Sequence, residues 1–379
     1  MRTCAIAVVG LGIMGSAAFH ALVQRKADVL GFDPLQVGDP RGSSHGSCRV
    51  YRRFNFESPA YTALSDQAFA GWRALEAASG RTLLIPSPVL EAGPPGSTLV
   101  RDSRAPARAA GAVAGPASGA EANAAFPALR LPDDWDVVVQ GSGGILLAEA
   151  AMTAFRDGAA DRIIPQAASL QPTPARIRVI TPDEEVLAEQ VIVAAGPWIA
   201  GLIPGLARHL TVTRQAVGWF RPARPEAAAM GELPVFLLDG PHGFIYGFPD
   251  FEGRGVKAAR HDHGPRVDPD AWGPPPSDVE LAPVSTTLET YLPGAAGPIV
   301  GRDICLYTNT GRADARPGAG EEFIIDRLPR DRRIIVASPC SGHGAKFATA
   351  IGEILAALAL DPTYEADPAF RLDRFSTFA

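Results

Sequence analysis

Apolar positions at the start of the chain follow one pattern and then switch abruptly to another. Ala5 to Val9 is a continuous apolar run, Gly10-Leu11-Gly12-Ile13-Met14-Gly15 interrupts it, and Met14, Ala17, Ala18, Ala21 and Leu22 recur at helical spacing. That order predicts a buried strand, a tight turn and a helix. Asp28 to Phe32 predicts the next strand. It ends at Asp33, which falls about 20 residues past the first glycine, the interval at which a dinucleotide unit carries its acid. Gln190 to Val193 reads as a further buried strand, running into the small-residue turn Ala194-Ala195-Gly196-Pro197-Trp198. Near the C-terminus, Phe347, Ile351, Ile354, Leu355 and Leu358 form the apolar stripe of a helix that follows Ser341-Gly342-His343-Gly344.

The glycines of the first turn have separate physical duties. Gly10 permits the tight turn, Gly12 lets the backbone approach a pyrophosphate, and Gly15 permits close packing of helix on strand; Asp33 would accept from ribose hydroxyls. Ile13 and Met14 sit at the helix N-terminus, where backbone N–H groups favour an anion. This unit does not separate NAD from FAD. A Rossmann dehydrogenase would continue with further alternating strands and helices, whereas Pro40 to Cys48 is a polar, Gly/Ser-rich loop. Two later stretches read as irregular: Ala105 to Ala125, a surface helix and loop, and Gly311 to Gly320, a glycine-rich excursion.

Composition narrows the partners. At 379 residues, 46% hydrophobic and 20% charged, the chain is long enough for two packed domains. A net charge of −6 without a long basic run argues against nucleic acid. No apolar stretch approaches the roughly 20 residues needed to cross a bilayer, and the apolar N-terminus lacks a basic region and cleavage site, so neither membrane span nor signal peptide is expected. Four cysteines, Cys4, Cys48, Cys305 and Cys340, show neither metal-type pairing nor the density of a disulfide scaffold; a reducing, cytoplasmic location is the default expectation.

Four segments concentrate chemistry. Ser43-Ser44-His45-Gly46-Ser47-Cys48-Arg49-Val50-Tyr51-Arg52 brings two arginines behind a flexible loop. Gly243 to Pro249 and Val256 to His261 read as neighbouring antiparallel strands, whose alternation turns Tyr246, Lys257 and His261 to one side. Cys305-Leu306-Tyr307-Thr308-Asn309-Thr310 is followed by Glu322-Phe323-Ile324-Ile325-Asp326. Ser341-Gly342-His343-Gly344-Ala345-Lys346 opens the last helix. Taken singly, each has a plainer reading: a glycine turn, a core tyrosine, a surface histidine, a small buried thiol, a lysine that snorkels to solvent.

Together with the N-terminal glycine turn, these segments resemble the flavin amine oxidases of the monomeric sarcosine oxidase and N-methyltryptophan oxidase family. The resemblance covers nearly the whole chain. It implies an α/β fold with an FAD-binding Rossmann-like domain and an antiparallel-sheet α+β substrate domain, discontinuous in sequence: 1–80, 142–211 and 321–379 for FAD, 81–141 and 212–320 for substrate. It implies covalent FAD through Cys305, in a cofactor site with Gly10, Gly12, Ile13, Met14, Gly15, Asp33, Ser43, Ser44, His45, Arg49, Gly196, Gly342, His343, Gly344 and Lys346. Arg49 would lie over the flavin ring near N5, and its charge should help form a thiolate at Cys305. Arg52 and Lys346 would grip a substrate carboxylate, a task that suits a planar guanidinium. Tyr307 would contact substrate, Tyr246 and His261 would shape the amine pocket, and Lys257 would favour oxygen reduction.

The implied partners are a small amino acid and oxygen, with the protein a monomer and hydrogen peroxide a product. Three departures touch the expected site: Cys48 where relatives often carry threonine, Pro339-Cys340 in place of a Gly-aromatic pair, and a longer Gly311 to Gly320 loop. A flavin dehydrogenase with another electron acceptor stays open as an alternative, and so does a flavin-binding protein without catalysis. An NAD(P)-dependent dehydrogenase is disfavoured by Cys305 and by the Gly-His-Gly-x-Lys segment.

Overall fold

The N-terminal strand Arg2–Val9 lies inside a mainly parallel sheet, flanked by Glu185–Val193 and Val29–Phe32. The computed structural model describes residues 2–57, 60–109, 115–261, 264–311, 322–375 and 378. Asp331–Ser338 adds in parallel outside Glu185–Val193 and carries the antiparallel edge strand Ile324–Leu328. Ile163–Ile164 closes the other edge. These strands are buried on both faces, which is why they read as unbroken apolar runs. The helix Ile13–Gln24 packs on this sheet together with the C-terminal helix Ala348–Leu360 and the long helix Ala60–Ser79, whose Trp72 is fully buried.

A second sheet runs in the order Ile299–Thr310, Leu210–Phe220, Val256–Arg260, Gly243–Phe248, Val235–Gly240, Val89–Gly93 and Asp136–Gln140. It is antiparallel except where Val89–Gly93 meets Val235–Gly240. Period-two alternation sorts its side chains. Phe220, Ile245, Val256 and Ala258 face one core, covered by the helix Asp278–Tyr291 with its Ser277 and Glu280 capping box. Val217, Tyr246, Lys257 and Cys305 fall on the other face, which lines a large cavity. The fold is thus α/β, with a Rossmann-like layer and an antiparallel sheet as expected.

A small three-stranded sheet, Cys48–Tyr51 with Gly144–Leu147 and Leu84–Pro86, connects the two cores. Tyr51, Leu84 and Leu146 pack into the first, while Cys48 and Ile145 pack with Val89, Val235 and Phe248 of the second sheet. Arg49 is therefore carried on a strand anchored from both sides. The stretch read as a surface helix and loop holds parts of two helices, Thr98–Ala109 and Gly119–Ala125. Apart from Gly311, the glycine-rich excursion at 311–320 lies outside the described residues.

Candidate active site

A cavity of about 530 Å³ extends from the Gly10–Met14 turn to Lys346, touching both large sheets. Every residue expected at the site lines it except Gly15, which sits behind the turn. A Cβ at Gly15 would lie 1.8 Å from the Gly10 carbonyl oxygen, so the close approach requires glycine. Asp33 ends its strand as expected, but its carboxylate is already engaged: Oδ2 accepts from the Leu11 N–H at 2.6 Å and Oδ1 from Leu35 at 2.8 Å. Burial pushes Asp33 above the usual carboxylate range against those two donors. Ser44 Oγ accepts from the Ile13 N–H at 3.0 Å, so the loop 40–48 is tied directly to the helix N-terminus.

That loop also builds a cationic wall. Arg49 donates to the carbonyls of Cys48, Ser43 and His45 at 2.8, 2.8 and 2.7 Å. Lys257 donates to the same Cys48 carbonyl at 3.4 Å, with Cys48 Sγ at 3.6 Å. Cys305 Sγ lies 4.0 Å from the Ser43 carbonyl oxygen. Burial pushes its thiol up, and the pull of Arg49 and Lys257 in the opposite direction does not reverse this. Arg49 thus helps the thiolate as expected, but desolvation is the larger effect. Two positions back on the same strand face, Asp303 accepts from His45 Nε2, with both carboxylate oxygens at 3.2 Å. Burial works against the Asp303 charge, yet the His45 contact and the Ile304 N–H hold it below the usual range.

Tyr246, His261 and Tyr307 converge as the alternation predicts. The Tyr307 hydroxyl is 3.4 Å from His261 Nδ1, and the His261 ring centroid lies 5.5 Å from that of Tyr307 and 6.4 Å from that of Tyr246. Burial pushes the Tyr246 phenol up to about 12 and Tyr307 well above the usual phenol range, so both are neutral donors at neutral pH. Gly342 closes this group with φ +76, and a Cβ there would lie 2.4 Å from Tyr307 Cε2. Glycines in the Ser341–Gly344 turn leave no side chain over the backbone N–H groups, which suits an anion. However, Ser341 N donates to Thr308 O at 3.1 Å, and His343 and Gly344 both donate to Cys340 O at 3.0 and 3.1 Å. Fewer amides are free than the glycines suggested, because the turn doubles back on itself. Its His343 ring stacks on Phe323, 4.8 Å between centroids.

The expected carboxylate clamp is the largest surprise. Lys346 is buried and donates to His343 O at 2.9 Å. Arg52, also buried, donates to Glu91 Oε1 at 3.3 Å and to Glu57 Oε1. Glu57 Oε1 also lies 3.9 Å from Lys346 Nζ and 3.7 Å from His343 Nδ1. Burial opposes the Glu57 charge, yet Arg52, Lys346 and His343 hold its carboxyl well below the usual range. Burial pushes Glu91 the other way, above it. The two cations of the expected clamp are thus charge-compensated by Glu57 and Glu91.

The chain matches the family described as FAD dependent oxidoreductase over residues 5–358. The chain belongs to this family. It is 29% identical to the monomeric sarcosine oxidase of Bacillus sp. (strain B-0618) over 374 residues, 96% of this chain and 93% of the relative. It is likewise 29% identical to the N-methyl-L-tryptophan oxidase of Yersinia pestis (strain Pestoides F), covering 97% and 98%. In fold it matches NikD, an unusual amino acid oxidase essential for nikkomycin biosynthesis, with a TM-score of 0.83, 21% identity and 97% and 96% coverage. The resemblance drawn from the motifs is borne out.

The residues of this FAD-dependent oxidoreductase fit its cofactor. The Ser43 hydroxyl is buried in the cavity wall without a partner among the described residues, as a group awaiting a ligand would be. Gly196, at φ +51, lines the cavity with nothing within 4 Å of where a Cβ would sit, while Gly10, at φ +88, packs against the Ala194–Ala195 backbone.

Among the charged groups that went unread in the sequence are Asp303, Glu57 and Arg156 of the flavoprotein's cavity lining and Glu91, which pairs with Arg52. Asp303 had a signal, since period two puts it on the face of Cys305. Glu91 had one too, as a lone acid in the apolar Pro88 to Ala92 run. Glu57 and Arg156 had none. Arg156 comes from the helix Ala148–Arg156, donates to Ser16 Oγ at 3.0 Å, and stands near enough to Asp33 to oppose the rise in its pKa.

Proposed function

We propose that this flavoprotein oxidises a carbon–nitrogen bond of a small N-alkylated or cyclic amino acid and returns the electrons to oxygen, giving hydrogen peroxide. One observation carries the reading: the lining of a single cavity includes two buried cations, Arg52 and Lys346, a second cationic pair, Arg49 and Lys257, and the ring groups of Tyr246, His261 and Tyr307. The curated relatives named as sarcosine and N-methyl-L-tryptophan oxidases support the same class. Bound FAD supplies the two-electron acceptor for the amine and the donor to oxygen.

Arg52 and Lys346 hold the substrate carboxylate once Glu57 yields to it. Tyr307, Tyr246 and His261 bound the space left for the amine, and the neutral phenols of the two tyrosines orient it without adding charge. Holding the reacting groups in register supplies about 7–11 kcal/mol of barrier reduction at best. Arg49 and Lys257 concentrate positive charge where oxygen gains negative charge. Ser43, Ser44, His45, Gly196 and the Gly10–Met14 turn would hold the cofactor, Asp33 its ribose end, and Gly342, His343, Gly344 and Lys346 the opposite end. Cys305 would bond it covalently. The division into 1–80, 142–211 and 321–379 against 81–141 and 212–320 is supported by sheet membership, since each large sheet draws its strands from one set alone apart from the first residues of Leu210–Phe220. Four free thiols support a reducing, cytoplasmic location, and we read the protein as a monomer.

The test is stopped-flow measurement of both half-reactions, after peroxide screening of sarcosine, other N-methyl amino acids, proline and pipecolate. Lys257→Met should slow reoxidation by air far more than anaerobic bleaching by substrate. Unchanged reoxidation would favour a dehydrogenase with another electron acceptor, and no bleaching by any of these amines would refute the substrate class.

A further inference from the structure

Lys257 stands in a place that pairing with an opposite charge does not explain. Its ammonium shares the Cys48 carbonyl with the Arg49 guanidinium, which takes the shorter bond, 2.8 against 3.4 Å. Two like charges on one acceptor repel, and a flexible four-carbon stem gives the lysine room to leave. No carboxylate pairs with it among the described residues, since Asp303, whose charge it feels, is spent on His45. What does surround it is aromatic. Nζ lies 5.4 Å from the centroid of Trp219 and 5.6 Å from that of Phe248.

The placement follows from the sheet. Trp219 is the register partner of Lys257 on the strand Leu210–Phe220, and Phe248 is its partner on Gly243–Phe248. Both rings are buried, and Lys257 is only 8% exposed. A ring face carries negative quadrupole density, and its attraction for a cation grows as water is removed. Arg254 stacks on the same Trp219 ring at 4.6 Å and lies 3.8 Å from Glu252, which buttresses the plane of the indole from the rim.

We infer that Trp219, with Phe248 beside it, is a positioning residue that holds the Lys257 ammonium at the cavity wall through its ring face, and that this hold sets how fast the reduced flavoprotein reacts with oxygen. The inference rests on the reading of Lys257 as the oxygen-side cation. It assigns the two aromatic strand partners a part in specifying oxygen as acceptor, without contact with substrate. A lysine matched in sequence but flanked by aliphatic strand neighbours would then be a poor oxygen activator.

The experiment uses the holoenzyme and two readouts: the rate of reoxidation by oxygen, and the dissociation constant for sulfite, which adds to oxidised flavins and is favoured by nearby positive charge. Trp219→Leu should slow reoxidation and weaken sulfite binding by between about twofold and thirtyfold, the span of a cation–π contact. Anaerobic bleaching by substrate should change little, and Trp219→Phe should recover most of the loss. Because Trp219 is buried and the leucine variant could unfold, fluorinated tryptophans placed at position 219 by amber suppression give a second route. They keep the ring's shape while draining its face, and both readouts should decline stepwise with fluorine number. No trend across the fluorinated series, or equal slowing of both half-reactions in Trp219→Leu, overturns the inference. Lys257→Met separates the two levels. If it leaves reoxidation intact, the reading of Lys257 has failed; if it slows reoxidation while the Trp219 series is flat, only the aromatic hold has failed.

Discussion

Arg52→Ala is the substitution in which the observed cluster and a simple substrate clamp diverge. Were Arg52 a vacant clamp, its loss would raise KM and leave the fold alone. Instead its guanidinium stands between two buried carboxylates, Glu91 at 3.3 Å and Glu57. At an effective dielectric of about 20, a pair at that separation interacts by roughly 5 kcal/mol before desolvation is counted. Breaking a buried pair by removing one partner costs about 3–5 kcal/mol, since the other charge stays behind. At about 2 °C per kcal/mol for a large chain, Arg52→Ala should lower Tm by about 8 °C in scanning calorimetry.

The pH dependence of that deficit carries a sign. Glu57 is held below its ordinary range, so the stability it contributes is present above the unfolded carboxylate range and lost as acid takes the pH below it. Glu91 is raised by burial, so its contribution runs the other way and weakens as pH rises through its folded value. Removing Arg52 leaves Glu91 without its cation and Glu57 with only Lys346 and His343 beside it among the described residues, so the deficit should shrink as the pH falls toward about 4.5 and the carboxylates take up protons. Adding Glu57→Gln and Glu91→Gln should restore most of the Tm without restoring substrate binding. A Tm for Arg52→Ala within about 2 °C of the parent at neutral pH would refute the argument and return Arg52 to the role of an open clamp.

Cys305→Ser should release all flavin on acid precipitation, while mass spectrometry of the denatured parent should find flavin on the Cys305 peptide; an unmodified peptide in the parent would reject the linkage and leave the family assignment standing. Gly342→Ala forces a side chain into a φ of +76 and against Tyr307, so it should cost at least about 1–3 kcal/mol by chemical denaturation and lower kcat by displacing the phenol. Ser44→Ala removes the side-chain acceptor of the Ile13 N–H, and should cost about 0.5–2 kcal/mol with weaker FAD retention in the Cys305→Ser background, measured by flavin fluorescence on dilution.

Much of the nucleotide layer could be read before any coordinates, because its logic is local. A buried strand, a glycine turn and a helix follow one another within the first 24 residues, and the period of the apolar positions changes where the backbone does. The cavity face of the second sheet was also readable, since alternation alone puts Lys257 with His261 and Cys305 with Tyr307. Family resemblance then supplied roles that no periodicity contains.

What remained hidden is the charge balance of the cavity, which depends on residues far apart in the chain. Glu57 gave no sign of reaching Lys346, nor Asp303 of reaching His45, because each pair forms only when distant segments pack together. That burial holds the Cys305 thiol up was hidden for the same reason. A nearby guanidinium can be inferred from a motif, but the desolvation that outweighs it is a property of the closed cavity. Trp219 reads in the sequence as one more core aromatic; strand register alone sets its ring under an ammonium. Local backbone preference and apolar spacing are written along the chain, whereas electrostatics in a buried site is set by which groups lose their water together.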